Sequence, residues 1–456
     1  MISAVKKAGA LVIAGIVLMT PFPGSALEKG ASLGGSAEAG YRLRTDGENT
    51  DQDLIERLSV QGFGPWAALG EGREAGFVFA GALQSDIDGQ TSDREFDPFR
   101  EIADTYDQST FGWIYLAYGE VNGPGALKLF RLGRQDSLEL APIAFDGGLI
   151  TLRPEATRNF TLTALAGLPT NLYEDLNDRR GDSVAGVYAD WRALRTLSLR
   201  AGYLDLRDRV ELLDGREETL KQSLAVAQAA WRPRLHDHLL GRISLQDGEL
   251  RDVVLRGSHR DEERNLNVSA FYQGLYLTRE AEPLTEDAFS VLLGDLHPYH
   301  QAGVTLYKGI GERLGVEAGA VVRGLGNEED EGRFNHGYQR YLLSLFINKV
   351  PLARSELMLG ADWWLATQEN NVTEARTLRA EYNQRFGKRG LFRAGTAFDL
   401  YKIDEFTGEE REETQTYYTD LTLPVRKNVL LLLSYSFEDS SLREVDTFRA
   451  RLRYEF

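Results

Sequence analysis

From about residue 30 onward, the chain repeats segments of roughly ten to fourteen residues in which apolar and polar residues alternate. Such an alternation places successive side chains on opposite faces of a strand, so each segment predicts a β-strand with one apolar and one polar face. Helical periodicity is rare, and a turn of helix is expected only within 280–296. The pattern therefore predicts an all-β chain. Clear examples are 110–121, 183–191, 196–206, 314–324 and 415–423.

The connections between these segments are of two kinds that take turns along the chain. Short connections are expected at 122–125, 192–195, 309–312, 350–353, 387–390 and 425–428. Longer, acidic connections are expected at 87–108, 278–297, 324–334, 403–413 and 438–445. Antiparallel hairpins with short turns at one end and long loops at the other are typical of transmembrane β-barrels. We expect one domain, residues 33–456, forming an antiparallel barrel of about 22 strands, with 18 to 22 compatible with the pattern.

A soluble sandwich or propeller also uses strands with two unlike faces. A membrane is favoured because the apolar parity persists for the length needed to cross the hydrocarbon at a tilt. Aromatic residues near strand ends are expected to form an interfacial girdle. They include Trp191 and Trp231 immediately before turns, and the pairs Trp363–Trp364 and Tyr417–Tyr418. In lipid, a closed barrel leaves no backbone group unpaired and no sheet edge exposed.

Composition excludes several classes of function. Cys is absent, which rules out disulfides, thiolate catalysis, cysteine zinc sites and covalently attached haem on this chain. The net charge of −17 argues against nucleic acid as a partner, since such proteins need a basic face. Beyond residue 20 no apolar run reaches the length of a transmembrane helix.

Residues 1–26 have the organisation of a secretory signal peptide. Lys6 and Lys7 precede the apolar stretch 8–19, and Gly24, Ser25 and Ala26 provide small residues for cleavage. We expect cleavage after Ala26; an N-terminal anchor helix is the alternative. Cleavage removes two lysines, which takes the net charge from −17 to −19.

The final segment "TFRARLRYEF" (447–456) places apolar side chains on one parity and Arg449, Arg451, Arg453 and Glu455 on the other. The apolar series resembles the C-terminal assembly signal of Gram-negative outer-membrane porins; it consists of Phe448, Leu452, Tyr454 and Phe456. The resemblance implies an outer-membrane β-barrel, recognised by the barrel-assembly machinery and surrounded by lipid and lipopolysaccharide. It also implies a channel for passive diffusion of small polar or charged solutes.

A second, local resemblance covers 129–150. This stretch is similar to a Gly-Arg-Gln strand followed by a Phe-Asp-Gly segment in alginate-export-type porins. The matching positions are Gly133, Arg134, Gln135, Phe145, Asp146 and Gly147. The similarity supports a porin-like barrel and assigns no substrate.

With the apolar parity facing outward, the polar parity of the late strands should line the lumen. A wall of mixed arginine and carboxylate orders water and suits a polar solute; alternatively, these charges simply pair with one another. The acidic long loops are expected to be solvated, or to hold divalent cations that bridge lipopolysaccharide. The candidate pore-lining residues are Arg379, Glu381, Arg385, Arg393, Asp399, Asp420, Arg449, Arg451 and Arg453.

Two other functions compete with a channel. Porin-like barrels resembling this one also serve as sheaths for exported multihaem cytochromes, which a barrel of about 20 strands is wide enough to hold. An enzyme embedded in the barrel would need a nucleophile held beside a His, and no such arrangement is visible. No cofactor or metal is predicted. The pairs His236/His238 and His297/His300 lack further ligands, and "GIGERLG" (309–315) indicates a turn rather than a phosphate loop.

Overall fold

The computed structural model describes residues 31–65, 72–88, 99, 109–123, 125–137, 143–154, 157, 159–170, 181–211, 217–277, 297–327, 337–368, 371–403, 410–440 and 443–456. These residues form 22 β-strands. The first eleven are β1 Ser32–Thr45, β2 Thr50–Pro65, β3 Glu74–Asp86, β4 Thr110–Asn122, β5 Leu127–Ser137, β6 Ile143–Leu152, β7 Phe160–Pro169, β8 Ser183–Trp191, β9 Leu197–Glu211, β10 Glu217–Trp231 and β11 Asp237–Gln246. The others are β12 Glu249–Asp261, β13 Leu266–Leu275, β14 Tyr299–Ile310, β15 Leu314–Leu325, β16 Tyr338–Asn348, β17 Ser355–Gln368, β18 Asn371–Phe386, β19 Gly390–Ile403, β20 Glu410–Arg426, β21 Val429–Asp439 and β22 Glu444–Glu455.

Every strand pairs antiparallel with its neighbours in sequence, and the sheet closes on itself. The closure lies between β1 and β22, whose register runs from Ser36 opposite Glu455 to Thr45 opposite Asp446. All 22 strands belong to this one sheet. The predicted fold class and strand number are confirmed. Among the described residues, no helix is long and apolar enough to cross a bilayer.

The two ends of the barrel differ in the length of their connections. Those after even-numbered strands range from the two residues between Arg426 and Val429 to the eight between Pro65 and Glu74; we call this the short-turn end. Those after odd-numbered strands range from the two residues between Gln246 and Glu249 to the twenty-three of 87–109 and of 276–298; we call this the long-loop end. Each connection predicted as short lies at the first end, and each predicted as long and acidic lies at the second.

Two of the connections predicted as long differ from the sequence prediction. Within 438–445, only the four residues between Asp439 of β21 and Glu444 of β22 connect the strands. The acidic stretch 403–413 was expected to be a loop, but β20 begins at Glu410, opposite Ile403 of β19. Backbone pairing extends the hairpin here, because charge on the side chains does not prevent the backbone groups of adjacent strands from pairing. The residues suggested for a helical turn, 280–296, lie outside the described part of the chain.

The ends also differ in charge. The connections of the short-turn end contain fourteen Lys and Arg against five Asp and Glu, counted between the strand bounds. Those of the long-loop end contain eight Lys and Arg against twenty-nine Asp and Glu. The barrel is therefore strongly polarised along its axis.

The wall has an apolar outer face and a polar inner face. Large apolar side chains on one parity are exposed, for example Leu378 at 79% and Leu343 at 55%. Carboxylates on the other parity are buried, such as Asp53 at 2% and Asp362 at 3%. Side chains converge and bury one another on the concave side of a closed sheet, so the charged parity faces the lumen.

One part of the inner wall is apolar instead. Inward side chains of β6 to β10 pack into a buried cluster: Phe145, Leu149, Leu165, Val184, Tyr188, Leu204, Leu224 and Val226. Beside it, Gly147 faces Gly133 on β5 and Gly167 on β7. A Cβ on Gly147 would lie 2.1 Å from the Ala166 carbonyl oxygen, so the backbone requires glycine at this position.

Candidate functional site: the inner wall of the barrel

Where the barrel closes, three arginines converge on one buried carboxylate. Glu38 of β1 accepts hydrogen bonds from Arg453 Nε and Nη2 at 2.9 and 2.7 Å, and from Arg57 Nη1 at 3.1 Å. Arg451 Nη1 lies 3.4 Å from Glu38 Oε1. The Glu38 side chain is 5% exposed, whereas those of Arg57, Arg451 and Arg453 are 49%, 36% and 38% exposed. Water in the lumen therefore contacts the guanidinium groups, while the Glu38 carboxylate that balances their charge is buried behind them.

A second carboxylate, Asp362 on β17, is arranged in the same way. Arg340 Nη2 donates to Asp362 Oδ1 at 3.3 Å. Arg379 Nε lies 2.6 Å from Asp362 Oδ2 as an ion pair, in an orientation that does not make a hydrogen bond. The Asp362 side chain is 1% exposed against 28% for Arg340, so arginine again forms the surface.

Aromatic rings extend this arginine surface along the wall. The Arg340 guanidinium carbon lies 4.6 Å from the centroid of Trp364, and Trp364 packs on Tyr338 at 5.5 Å between centroids. Arg323 stacks over Tyr299 at 4.0 Å. Alternating guanidinium and aromatic groups present both charge and flat apolar surface to a solute.

The late strands carry a third group. Arg393 of β19 donates to Asp420 Oδ2 through Nε at 2.9 Å and Nη2 at 2.6 Å, and lies over the Tyr418 ring at 5.6 Å. The Tyr418 hydroxyl donates to Glu381. Glu381 also accepts a hydrogen bond from Asn383 at 2.6 Å. The group is thus a continuous polar strip across three strands.

At the long-loop end, one residue from the β3–β4 connection is held against the barrel. Phe99 is 4% exposed, and its ring lies 5.2 Å from the Arg44 guanidinium and 5.8 Å from that of Arg443. Arg44 Nη2 also donates to the Phe99 carbonyl oxygen at 2.9 Å. Since Arg44 lies on the charged, inward parity of β1, this contact holds part of the connection at the mouth of the lumen.

The same mouth keeps a carboxylate charged. Burial alone would raise the pKa of Asp46, but hydrogen bonds from Asn49 and from the Glu48 backbone N–H, together with nearby Arg443, hold it below its usual range. Just inside, Arg42 donates to Asp53 Oδ2 at 2.9 and 2.5 Å, and Arg44 Nε donates to Asp51 Oδ2 at 2.8 Å. Paired charges therefore line the mouth.

The candidate pore-lining residues fall on the lumen parity, in separate groups. Arg451 and Arg453 meet at Glu38, Arg393 and Asp420 meet beside Glu381, and Arg379 reaches Asp362 instead of Glu381. Arg385 lies near the short-turn end of β18, and Arg449 lies opposite Arg42 of β1. Asp399 lies in β19 opposite Thr414, and its side chain is outside the described residues.

The charge partners were missed by the sequence analysis. The strands involved show inward charges in the sequence, but which charges pair depends on the register between neighbouring strands. The residues missed are Glu38, Arg57, Arg340 and Asp362. Nothing in the sequence indicated that Phe99 contacts the barrel, because it lies within an acidic stretch that was expected to be solvated.

Two aromatic assignments need correction. The pairs Trp363–Trp364 and Tyr417–Tyr418 were both expected in the outer girdle. Trp363 and Tyr417 are exposed on the apolar face, whereas Trp364 and Tyr418 contact arginines on the inner face. Consecutive residues of a strand point to opposite faces, so each pair places one ring on the outer face and one on the inner face.

Two histidines contact polar side chains of neighbouring strands. His300 Nδ1 lies 2.9 Å from the Tyr272 hydroxyl, and His259 Nδ1 lies 2.6 Å from Asp237 Oδ1 on the strand that also carries His238. Across the described ranges, no group of three or more His, Asp and Glu is placed to hold a metal ion. Residues 309–315 form the end of β14, a turn and the start of β15, in agreement with the predicted turn.

The terminal strand places its apolar series on the outer face. Phe448, Leu452 and Phe456 are exposed, and Phe456 stacks on Tyr454 at 5.9 Å between centroids. The Phe456 N–H donates to the Gly35 carbonyl oxygen at 3.1 Å, and the Gly35 N–H donates to the Phe456 carbonyl oxygen at 3.0 Å. Phe456 thus extends the pairing between β22 and β1 by one position.

The six positions of the local porin-like resemblance lie opposite one another in the β5–β6 hairpin. Gly133, Arg134 and Gln135 lie opposite Gly147, Asp146 and Phe145 respectively. Arg134 makes a bidentate pair with Asp146, both contacts at 2.8 Å. Gln135 Nε2 donates to the Gly147 carbonyl oxygen at 3.0 Å, beside the fully buried Phe145. The stretch fixes the β5–β6 register.

No protein-family model and no curated protein matches the chain. Three solved structures similar to it are OpdK from Pseudomonas aeruginosa, solved with vanillate, OpdO from the same organism, and OccAB3 from Acinetobacter baumannii. OpdK is 12% identical with a TM-score of 0.44, covering 93% of this chain and 98% of its own. OpdO is 11% identical with a TM-score of 0.44, covering 95% and 98%. OccAB3 is 10% identical with a TM-score of 0.45, covering 93% and 99%.

Proposed function

We propose that the chain is an outer-membrane channel through which small polar or charged solutes diffuse passively. The observation that carries the proposal is the division of the closed wall into an exposed apolar outer face and a charged inner face. Leu343 and Leu378 belong to the first, and the groups around Glu38 and Asp362 belong to the second. Such a wall is stable with lipid outside and water inside.

The arrangement of the inner charges gives the channel a preference for anions. Glu38 and Asp362 are buried behind two or three arginines each, so a passing solute meets positive charge first. Fixed charge on a pore wall biases the passage of ions of opposite sign. Phe99, held between Arg44 and Arg443, narrows the path at the long-loop end.

Planar bilayer recordings with purified protein test this proposal. We expect stepwise conductance, and a reversal potential in a salt gradient that indicates anion preference. Arg451→Ala should keep the conductance and lower the anion preference, because it removes a half-exposed guanidinium from the wall. Arg426→Ala, which removes the same charge from the short-turn end of β20, is the matched control. Protein that gives no conductance above the lipid baseline would refute an open channel.

A sheath for an exported multihaem cytochrome is the alternative. The Phe99 contact and the apolar cluster on the inner side of β6 to β10 both take up space in the lumen, which favours solutes over a folded polypeptide. Protein purified from its native membrane should therefore lack the absorption band of haem. A stoichiometric haem protein that copurifies with the barrel would favour the sheath.

The proposed location follows from export and assembly. Residues 1–26 would direct export and be cleaved after Ala26, and the outward series ending at Phe456 would be recognised by the barrel-assembly machinery. Lipid and lipopolysaccharide would then surround the apolar face. N-terminal sequencing of protein from isolated outer membranes tests both points, since the mature chain should begin at Leu27.

A further inference from the structure

Two neighbouring connections at the short-turn end have similar sequences. They are "WRALR" (191–195), between β8 and β9, and "WRPRL" (231–235), between β10 and β11. Each places a Trp at the end of a strand, followed by two arginines and a leucine. The connections touch, since the Arg232 N–H donates to the Thr196 carbonyl oxygen at 2.7 Å. Four guanidinium groups are thereby gathered on one sector of the rim.

The apolar residues of these connections are unusually exposed. Trp191 and Trp231 are 51% and 45% exposed, Leu194 is 60% exposed and Leu235 is 91% exposed. Trp side chains near the ends of spanning segments prefer the level of the lipid headgroups. Apolar side chains beside cationic ones are typical of surfaces that insert into the membrane interface.

The four arginines have no ionic partner among the residues that the structure describes. Arg192, Arg195, Arg232 and Arg234 are all exposed. The nearby carboxylate of Asp237 lies 2.6 Å from His259 Nδ1 and is directed to that ring. An anion arriving at this sector would therefore meet four guanidinium groups, each able to donate to phosphate oxygens.

Below the arginines, the outer wall contains two adjoining furrows of about 840 and 640 Å³. Small residues, among them Ala229 and Gly241, form the floor of both, and Leu255 lines both. Trp231 and Leu194 border the first furrow, and Trp191 borders the second. Both furrows lie on the apolar face, directly beneath the cationic rim, and are suited to hydrocarbon chains.

We propose that this sector binds an anionic phospholipid, with its phosphate on the four arginines and its acyl chains in the two furrows. The occupant is a lipid rather than an acidic protein, because both furrows lie on the outer face and are lined mainly by apolar side chains. A lipid with a net negative headgroup is preferred to a zwitterionic one, since an ammonium group would be repelled by the arginines. The inference depends on the barrel lying in a membrane and is independent of channel activity.

Native mass spectrometry of the detergent-solubilised full-length protein tests the site. Phosphatidylglycerol and phosphatidylethanolamine with identical acyl chains are titrated separately. The wild type should bind phosphatidylglycerol at least about tenfold more tightly than phosphatidylethanolamine. The quadruple variant Arg192→Gln, Arg195→Gln, Arg232→Gln, Arg234→Gln should lose that difference.

A control variant removes four cations elsewhere on the same end of the barrel: Arg313→Gln, Lys388→Gln, Arg426→Gln, Lys427→Gln. It should keep the tenfold difference if the site is local. Equal binding of both lipids by the wild type overturns the proposal, and so does an equal loss in the control. If the quadruple variant does not fold, Arg192→Gln with Arg195→Gln replaces it and should give a partial loss, whereas no loss counts against the site.

Discussion

At the scale of single residues, the barrel depends on carboxylates that each hold several arginines. Glu38 joins β1 to β2 through Arg57 and to β22 through Arg451 and Arg453. It therefore bridges the place where the first and last strands meet. A buried charge whose partners remain is costly to remove, because the partners then repel one another.

We predict that Glu38→Gln destabilises the barrel on the order of 3 kcal/mol, since three arginines lose their shared counter-charge. Urea unfolding in lipid vesicles, followed by the shift in gel mobility between folded and unfolded protein, measures the change. Glu56→Gln is the matched control. Glu56 lies on the outer parity of β2, makes no ion pair with any described residue, and should tolerate the change. Equal stability of both variants would mean that the convergence of three arginines on Glu38 contributes nothing to the stability of the barrel.

At the scale of elements, the β5–β6 hairpin is held in register by residues on both faces. Arg134 and Asp146 pair on the outer face, and Gly133 lies opposite Gly147 on the inner face. The close approach of β6 to β7 at Gly147 leaves no room for a side chain. Gly147 lies next to the buried cluster that contains Phe145 and Leu149.

Gly147→Ala should destabilise the barrel by about 2 kcal/mol, because its Cβ would overlap the backbone of β7. Gly148→Ala is the control on the adjacent residue. Its Cβ would lie 3.8 Å from the nearest atom, the Arg131 carbonyl oxygen, so little change is expected. The same urea titration compares the two variants. A Gly148→Ala variant as unstable as Gly147→Ala would show that any glycine replacement weakens this hairpin, whatever the local spacing.

Much at the scale of elements was predictable because a strand repeats every two residues. The 22 strands follow from counting segments with that period, and the two kinds of connection follow from the length and acidity of the stretches between them. The pairing of charges does not, because it depends on register between strands that are distant in sequence. Glu38 and Arg453 are 415 residues apart and meet only because β1 pairs with β22. Arg379 pairs with Asp362 on the neighbouring strand, although Glu381 is closer in sequence.

At the scale of the whole molecule, the seam that closes the ring extends from β22 to Phe456. Phe456 exchanges two backbone hydrogen bonds with Gly35. Its ring stacks on Tyr454, and a Cβ on Gly35 would lie 2.7 Å from that ring. The residue thus adds one backbone pair to the seam at the short-turn end, where the Gly35 backbone groups would otherwise lose this partner.

Deleting Phe456 should lower the fraction of chains that assemble, both in cells and in refolding into vesicles, because the seam loses two backbone bonds and a lipid-facing ring. The folded fraction is measured by heat-dependent gel mobility. Phe456→Leu keeps the backbone bonds and should assemble better than the deletion, which separates pairing from the aromatic ring. Arg451→Ala, five residues earlier in the chain and on the lumen face of β22, should assemble normally. If Arg451→Ala fails as badly as the deletion, the assignment of inner and outer faces on β22 is wrong, and the selectivity expected of that arginine falls with it.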